Sequence, residues 1–273
     1  MTAGTICFSH ANGFPAGTYR VLFEAWQQAG WRVIALPRIG HDPAFTVSIN
    51  WPHLRHELAL FIAQQAPSQK VHLVGHSLGG FLSLMLAARR PDLAAQVVML
   101  DSPIVGGWRS HSVTMARSLG LFKRYSPGRI AEKRRFQWPD RDAAHQHYAA
   151  KTAFARWDER VLRDYIASGT EPDPTGANPR AVRLAFQREI ETRIYDTLPT
   201  RLGVLLRRHP LQAPVHFIAG TQSAELRQAG MAATRTLVRE RLSWIEGSHL
   251  FPMEKPDETA AEVLRCLGPA RAS

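Results

Sequence analysis

Short apolar runs alternate with longer amphipathic stretches along the first hundred residues of the chain. Four runs have the length and composition of buried strands, at residues 5–8, 32–36, 71–74 and 96–100. Between them, apolar residues recur at helical spacing at residues 19–29, 51–65 and 81–89. Strands that alternate with helices pair side by side in one direction. The pattern therefore predicts an α/β fold with a mostly parallel central sheet and helices on both faces.

The alternation stops near residue 104 and returns near residue 211. Residues 104–210 predict helices around residues 112–119, 141–154, 159–167 and 180–195, a turn-rich stretch at 169–179, and no strand. Strands then follow at residues 215–219 and 242–245, with helices at 224–231 and 257–266. We therefore predict a core built from residues 1–103 and 211–273, interrupted by a helical lid at residues 104–210.

The composition fits one large core with an insertion, since 45% of the 273 residues are hydrophobic. No apolar run reaches the ~18 residues that a membrane span needs, and no signal peptide is visible. Cys7 and Cys266 are the only cysteines, and we expect both to be reduced in a cytoplasmic protein. No grouping of Cys and His has the spacing of a zinc site, so no metal is predicted.

The positive charge of the chain is concentrated in one segment. The net charge is +11, and residues 103–210 carry 20 Lys and Arg against 11 Asp and Glu. Such an excess is typical of a solvated, arginine-rich helical surface, but it could also attract acidic substrates or an anionic surface. Nucleic acid is not an expected partner, because the pattern predicts no recognition fold and the basic residues are not interleaved with aromatic ones.

The most specific motif is Gly75-His76-Ser77-Leu78-Gly79-Gly80. It lies between a predicted strand and a predicted helix, which is the context of a nucleophile elbow. In such a tight turn, side chains at Gly75 and Gly79 would collide with neighbouring elements, and the serine backbone is strained. The pattern predicts that the Ser77 hydroxyl stands exposed above the end of the strand, and that His76 packs beneath the elbow.

A serine hydroxyl needs a base to take its proton, and His249 is placed to do so. It follows the last predicted strand, in the stretch Gly247-Ser248-His249-Leu250. Because the carboxyl ends of parallel strands lie at the same edge of a sheet, we expect Ser77, His249 and the loop around Asn12 to meet there.

Three motifs together resemble the α/β-hydrolase superfamily, in its lidded serine esterase and lipase-like branch: residues 10–15, 75–80 and 247–256. The resemblance covers about residues 5–103 and 211–268. It implies a small-molecule ester substrate with an apolar acyl group, no cofactor, and an oxyanion hole with the N–H of Leu78. The second N–H is expected from Phe14, which follows when the first loop is aligned on Gly13; alignment on His10 would make the donor Ala11 or Asn12 instead.

The acid that would orient His249 is the least certain member. The superfamily usually has an aspartate in a G-x-x-D turn after the strand at residues 215–219, but this chain has Ser223 there. Two other carboxylates are in reach: Asp101, at the end of the strand at residues 96–100, and Glu225. We favour Asp101, because a carboxylate on a strand end is held more rigidly than one at a helix opening.

These observations predict a serine hydrolase that cleaves a carboxylic ester through an acyl-enzyme. The first alternative keeps the same triad for thioester hydrolysis, carbon–carbon bond hydrolysis or acyl transfer. The second is a non-catalytic binding protein on a hydrolase scaffold, which only the serine at position 223 favours. The sequence identifies neither the residues that bind the substrate nor the oligomeric state.

Overall fold

Six strands form one parallel sheet at the centre of the molecule. In this computed structural model, residues 4–104, 128–175 and 178–268 are described. The strands are β1 (Thr5–Ser9), β2 (Arg32–Ala35), β3 (Val71–His76), β4 (Ala94–Leu100), β8 (Val215–Gly220) and β9 (Leu242–Ile245), in the order β2-β1-β3-β4-β8-β9. All neighbours in this sheet pair in parallel, which confirms the predicted α/β fold.

Helices cover both faces of this sheet. The core helices before the insertion are α1 (Arg20–Gln28), α2 (Pro52–Gln65) and α3 (Leu78–Arg89), and the last helix is α12 (Pro256–Leu267). Leu73 and Val97 pack with α2 and α3 on one face, whereas Val74 and Val98 pack with α1 and α12 on the other. This alternation follows from the period of two in a strand, since successive side chains point to opposite faces.

The segment between β4 and β8, called here the inserted segment, is helical with a small sheet of its own. Among its described residues, the helices are α4 (Gly128–Lys133), α5 (Arg141–Ala149), α6 (Glu159–Gly169), α7 (Arg188–Asp196) and α8 (Leu202–Arg208). The strands β5 (Gln137–Trp138), β6 (Thr170–Pro172) and β7 (Val182–Leu184) form an antiparallel sheet in the order β5-β7-β6.

The sequence analysis was wrong in expecting no strand in this segment. Strands of two or three residues are too short to show an alternating pattern. The helix expected at 180–195 is therefore shorter than predicted: β7, which is too short to be recognised, occupies the first part of this range, and α7 follows it. The helix expected at residues 112–119 lies outside the described residues.

The remaining elements are short. They are α9 (Ala224–Ala229), α10 (Ala232–Val238), α11 (Phe251–Glu254) and two 3-10 helices, Ala16–Tyr19 and Pro43–Phe45. The single helix expected at 224–231 ends instead at Ala229, and the next residue, Gly230, has a positive φ of 76° that does not continue the helix. Cys7 and Cys266 are free and buried. Within the described ranges, none of the helices combines the length and the apolar character needed to cross a membrane.

Candidate active site

The register of the sheet brings the predicted site residues to one edge. His76 of β3 pairs with Leu100 of β4, Leu100 pairs with Ile218 of β8, and Gly220 pairs with Ile245 of β9. The residues that follow these strands are therefore neighbours in space. They include Ser77, Asp101, the turn that starts at Gly220 and the loop of His249.

Ser77 occupies a strained turn between β3 and α3. Its backbone has φ 52° and ψ −113°, a region that residues other than glycine rarely adopt. The turn is held by the Ser77 N–H, which donates to Leu100 O at 2.9 Å. A Cβ at Gly75 would overlap the backbone of Gly79, and a Cβ at Gly79 would overlap the backbone of Ser9. These contacts explain the two glycines and leave the Ser77 side chain partly exposed.

His249 and Asp101 form a short hydrogen bond. Nδ1 of His249 lies 2.7 Å from Oδ2 of Asp101, although the two residues are 148 positions apart. Because a carboxylate accepts, Nδ1 carries the proton and Nε2 keeps its lone pair for another proton. Burial acts to lower the pKa of His249, but the hydrogen bond and charge of Asp101, with the charge of Glu225, outweigh it and raise the pKa above its usual value.

His249 contacts the residue that precedes the predicted nucleophile. Nε2 of His76, the residue before Ser77, is 2.9 Å from the carbonyl oxygen of His249. The rings of His76 and His249 have centroids 5.1 Å apart. The structure thus places His249, bonded to Asp101, against the end of the strand that leads into Ser77.

The side chain of Asp101 is held from several sides. It is fully buried, and the backbone has a positive φ of 45°. Oδ1 accepts from Gly220 N at 2.9 Å, and Oδ2 accepts from Ser223 Oγ at 2.6 Å as well as from His249. Glu225, the other candidate acid, is exposed, with Oε2 3.4 Å from Ser223 Oγ. Asp101, not Glu225, is therefore the carboxylate bonded to the histidine.

Ser223 contributes to the candidate site in a way that the sequence did not indicate. The sequence shows only that a charge is missing from the usual acid position. The hydroxyl of Ser223 donates to Asp101 and accepts from Leu226 N at 3.1 Å, which caps α9. A serine directly before a helix is a known capping signal, and this could have drawn attention to it. Ser223 thus supplies a hydrogen-bond donor to the Asp101 carboxylate.

Two backbone N–H groups are available near the nucleophile. Leu78 is the first residue of α3, where an N–H has no partner within the helix. In the first loop, Ala11 N donates to Tyr19 Oη and Phe14 N donates to Ala11 O, each at 3.2 Å. Of the loop donors considered from the sequence, only Asn12 keeps its N–H unbonded within the described part of the chain. The N–H of Phe14, the donor expected from the sequence, is thus already bonded to Ala11 O, and the geometry favours the alignment on His10 over the alignment on Gly13.

His10 fixes the shape of this first loop. Its Nε2 accepts from Ile39 N at 2.8 Å, so Nδ1 is the protonated atom and donates to Ala11 O at 2.8 Å. Burial lowers the pKa of His10 to about 4, and the ring stays neutral near pH 7. His10 therefore supports the loop and does not act as a base.

The described part of the inserted segment packs on the first loop. Asn12 Nδ2 donates to Glu191 O at 3.0 Å, and a Cβ added at Gly13 would meet the Glu191 carboxylate. Arg134 donates to both carboxylate oxygens of Glu191, at 2.8 and 3.0 Å. The Phe14 ring lies against Tyr165, with centroids 5.6 Å apart. The segment thus covers the loop that carries the candidate oxyanion donor.

One group of side chains could in principle hold a metal ion. Ligand atoms of Asp101, Glu225 and His249 all lie within 4.8 Å of one another. However, the 2.7 Å separation of His249 Nδ1 and Asp101 Oδ2 is shorter than the about 3.4 Å between two ligand atoms of a tetrahedral zinc ion. These two atoms therefore fit a hydrogen bond better than a shared zinc ion.

The fold and the site define a class of protein, and comparison with known families agrees. A model of the alpha/beta hydrolase family matches residues 8–262. This chain belongs to the alpha/beta hydrolase family. A search of curated proteins found no match.

Solved structures share this fold at low sequence identity. The chain is similar to E-2-(acetamidomethylene)succinate hydrolase, with 21% identity, a TM-score of 0.72, and coverage of 97% of this chain and 91% of that one. It is also similar to a thioesterase domain from the curacin biosynthetic pathway (17%, TM-score 0.67, 95% and 90%). An esterase of M. tuberculosis is a third similar structure (18%, TM-score 0.67, 98% and 86%). At such identities the likeness establishes the fold.

Proposed function

We propose that this protein is a serine hydrolase that cleaves carboxylic esters through an acyl-enzyme. One observation carries the proposal: the strained Ser77 directly follows His76, which is bonded to the backbone of His249, and Nδ1 of His249 is bonded to the buried Asp101. A nucleophile, a base and an orienting carboxylate in this order are what acyl transfer requires. A binding protein would have no need of backbone strain at Ser77.

The reaction would proceed in two halves. His249 Nε2 takes the proton of Ser77 as Oγ attacks the ester carbonyl, and Asp101 stabilises the resulting imidazolium. The N–H groups of Leu78 and Asn12 would donate to the oxyanion. The intermediate expels the alcohol, which leaves with the proton from His249. Water, deprotonated by His249, then attacks the acyl-enzyme and releases the carboxylic acid and free Ser77.

The inserted segment is proposed to act as the lid of this site. Helix α7 of this segment contacts the first loop through Glu191, and two aromatic residues of the segment, Trp157 and Tyr165, contact Phe14. Trp157, Tyr165 and Phe154 form one aromatic cluster next to that loop. Such a wall favours an ester with an apolar acyl group. The same catalytic groups could cleave a thioester, as in the thioesterase domain of similar fold.

Labelling with a fluorophosphonate probe tests the proposal directly. We expect one equivalent of probe on Ser77, located by mass spectrometry of the peptide that contains α3. Ser77→Ala should fold normally, fail to react, and lose about 10⁴-fold or more in turnover. A panel of esters and matched thioesters of increasing acyl length would then identify the bond and the acyl group. A folded wild-type protein that does not react, or a Ser77→Ala variant that keeps a tenth of the activity, would refute the assignment.

A further inference from the structure

A chain of hydrogen bonds runs beneath the nucleophile and joins the first loop to the loop of His249. Ala11 N is 3.2 Å from Tyr19 Oη, and Tyr19 Oη is 2.8 Å from His76 Nδ1. His76 Nε2 is 2.9 Å from the carbonyl oxygen of His249. The side chains of Tyr19 and His76 therefore connect the first loop with the loop of His249.

The direction of every bond in this chain follows from its last member. The carbonyl oxygen of His249 can only accept, so Nε2 of His76 carries a proton. Nδ1 of the neutral ring then has a lone pair, and it accepts the hydroxyl proton of Tyr19. The Tyr19 oxygen in turn accepts the N–H of Ala11. Each donor has one acceptor, and the ring of His76 has a single tautomer that satisfies all three bonds.

We propose that Tyr19 and His76 are positioning residues, which set the first loop and the His249 loop at a fixed separation around Ser77. The proposal rests on the proposed function, because it assigns these two loops to the oxyanion and to the base. Ala11 directly precedes Asn12, and a shift of the Ala11 N–H would displace the proposed oxyanion donor. His249 O belongs to the base itself. Tyr19 and His76 would act through these groups without touching the substrate.

The burial of the chain gives it rigidity. Tyr19 is 1% exposed and His76 is not exposed at all. Burial lowers the pKa of His76 well below its usual value, with a contribution from the neighbouring His249, so the ring stays neutral while His249 cycles through its charged form. Removing the Tyr19 hydroxyl would leave the Ala11 N–H and His76 Nδ1 without partners in a place that excludes water.

Tyr19→Phe in the full chain tests the proposal by steady-state kinetics. Rates are divided by the concentration of Ser77 that a fluorophosphonate labels, which removes any effect of misfolded protein. We expect kcat per labelled site to fall about tenfold, equal to about 1.4 kcal/mol, with KM within about twofold. An oxyanion contact is made in the transition state and not with bound substrate, and its loss therefore appears in kcat.

Gln96→Leu is the matched control. Gln96 is buried in the first half of β4, and its amide donates to Cys266 O at 2.6 Å. The variant also removes a buried donor, but at the end of β4 opposite to Asp101. It should lower the thermal midpoint while leaving kcat per labelled site unchanged. An equal loss of kcat in Tyr19→Phe and Gln96→Leu would reduce Tyr19 to a structural residue and overturn the proposal.

A double-mutant cycle asks whether Tyr19 and His76 act as one unit. His76→Gln keeps an N–H donor for His249 O but removes the ring nitrogen that accepts from Tyr19. If the chain is a unit, Tyr19→Phe with His76→Gln should lower kcat no more than the stronger single variant. Losses that multiply would show independent roles. Tyr19→Phe alone still decides the question if His76→Gln does not fold.

Nitrogen-15 NMR of histidine-labelled protein gives a readout that does not depend on catalysis. His76, assigned by its absence in His76→Gln, should be a neutral ring protonated on Nε2 throughout the pH interval in which an unperturbed histidine titrates. A Nδ1–H tautomer, or titration in that interval, would overturn the hydrogen-bond order. A protein that shows the expected tautomer yet fails to react with fluorophosphonate would refute the proposed hydrolase function and leave the hydrogen-bond chain intact.

Discussion

The Asp101 carboxylate receives three hydrogen bonds, from the backbone of Gly220, from Ser223 and from His249. Its two oxygens are thereby fixed in orientation, and the imidazole is fixed with them. Asp101→Asn keeps the shape but removes the charge, and the amide can hold the wrong tautomer of His249. We expect turnover per labelled site to fall by about 10³- to 10⁴-fold.

Glu225→Gln is the comparison for that variant. Glu225 is exposed and contributes to His249 only through its charge, and its loss should cost about tenfold or less. Circular dichroism of both purified variants controls for folding, because Asp101 also holds the turn at its own positive φ. The opposite ranking would transfer the role to Glu225, and two mild effects would indicate a Ser77–His249 dyad.

The pH profile should follow the charge around His249. The base must be neutral to accept a proton, and kcat/KM should therefore rise with pH through the pKa of His249. That pKa is raised, so the midpoint should lie above the ~6.5 of an unperturbed histidine. Glu225→Gln removes one cause of the rise and should move the midpoint to lower pH with a similar plateau. Asp101→Asn leaves burial as the main influence and should move it further down. If the midpoint of the kcat/KM profile changed in neither variant, the profile would not report the titration of His249, and its assignment as the base would be contradicted.

At the level of residues, the sequence predicts the groups that local motifs define. Ser77 and His249 follow from strand–motif–helix context and from the end of the last strand. The choice between Asp101 and Glu225 depends on a contact between residues 148 positions apart, which no local pattern encodes. The oxyanion donor depends on a turn in which Phe14 N bonds to Ala11 O, and the alignment of motifs could not foresee this bond.

Among the elements, the β3–turn–α3 unit tolerates the least change. A Cβ at Gly79 would overlap Ser9 O, which belongs to the neighbouring strand β1 and cannot move aside. We expect Gly79→Ala to reduce the free energy of unfolding by at least about 2 kcal/mol and to abolish labelling of Ser77.

Gly203→Ala is the control for this change, with unfolding followed in urea. Gly203 lies in α8, and the nearest atom to its added Cβ is Nη1 of Arg207 at 3.7 Å. Alanine should stabilise that helix by roughly 0.5–1 kcal/mol. If the two variants were equally stable, the turn around Gly79 would have to be less crowded than the structure shows.

Long strands are predicted from the sequence more accurately than short ones. The strands of the central sheet have four to seven residues and an apolar run that marks them. β5 has two residues, and β6 and β7 have three. Their pairing is decided by packing within the inserted segment and not by their own composition, so they could not be found from the pattern.

Over the whole molecule, five arginines in the described part of the inserted segment form ion pairs with carboxylates. The arginines that form such pairs are Arg134, Arg156, Arg160, Arg163 and Arg183. We therefore favour the solvated surface over a field that selects anionic substrates. The ratio of kcat/KM for a neutral ester and for its carboxylate analogue should change by less than about threefold between low and high salt. A preference for the anionic ester of tenfold or more that disappears in salt would favour electrostatic attraction.

The position of Asp101 has a consequence for how such a molecule can diversify. Ser77, the Leu78 N–H and Asp101 all belong to one β3–α3–β4 crossover that precedes the inserted segment. If these residues act as proposed, recombination downstream of residue 104 could replace the inserted segment, and with it the substrate specificity. The crossover that contains Ser77 and Asp101 would be retained as one unit. Only the histidine loop and the first loop would have to be matched to a new partner.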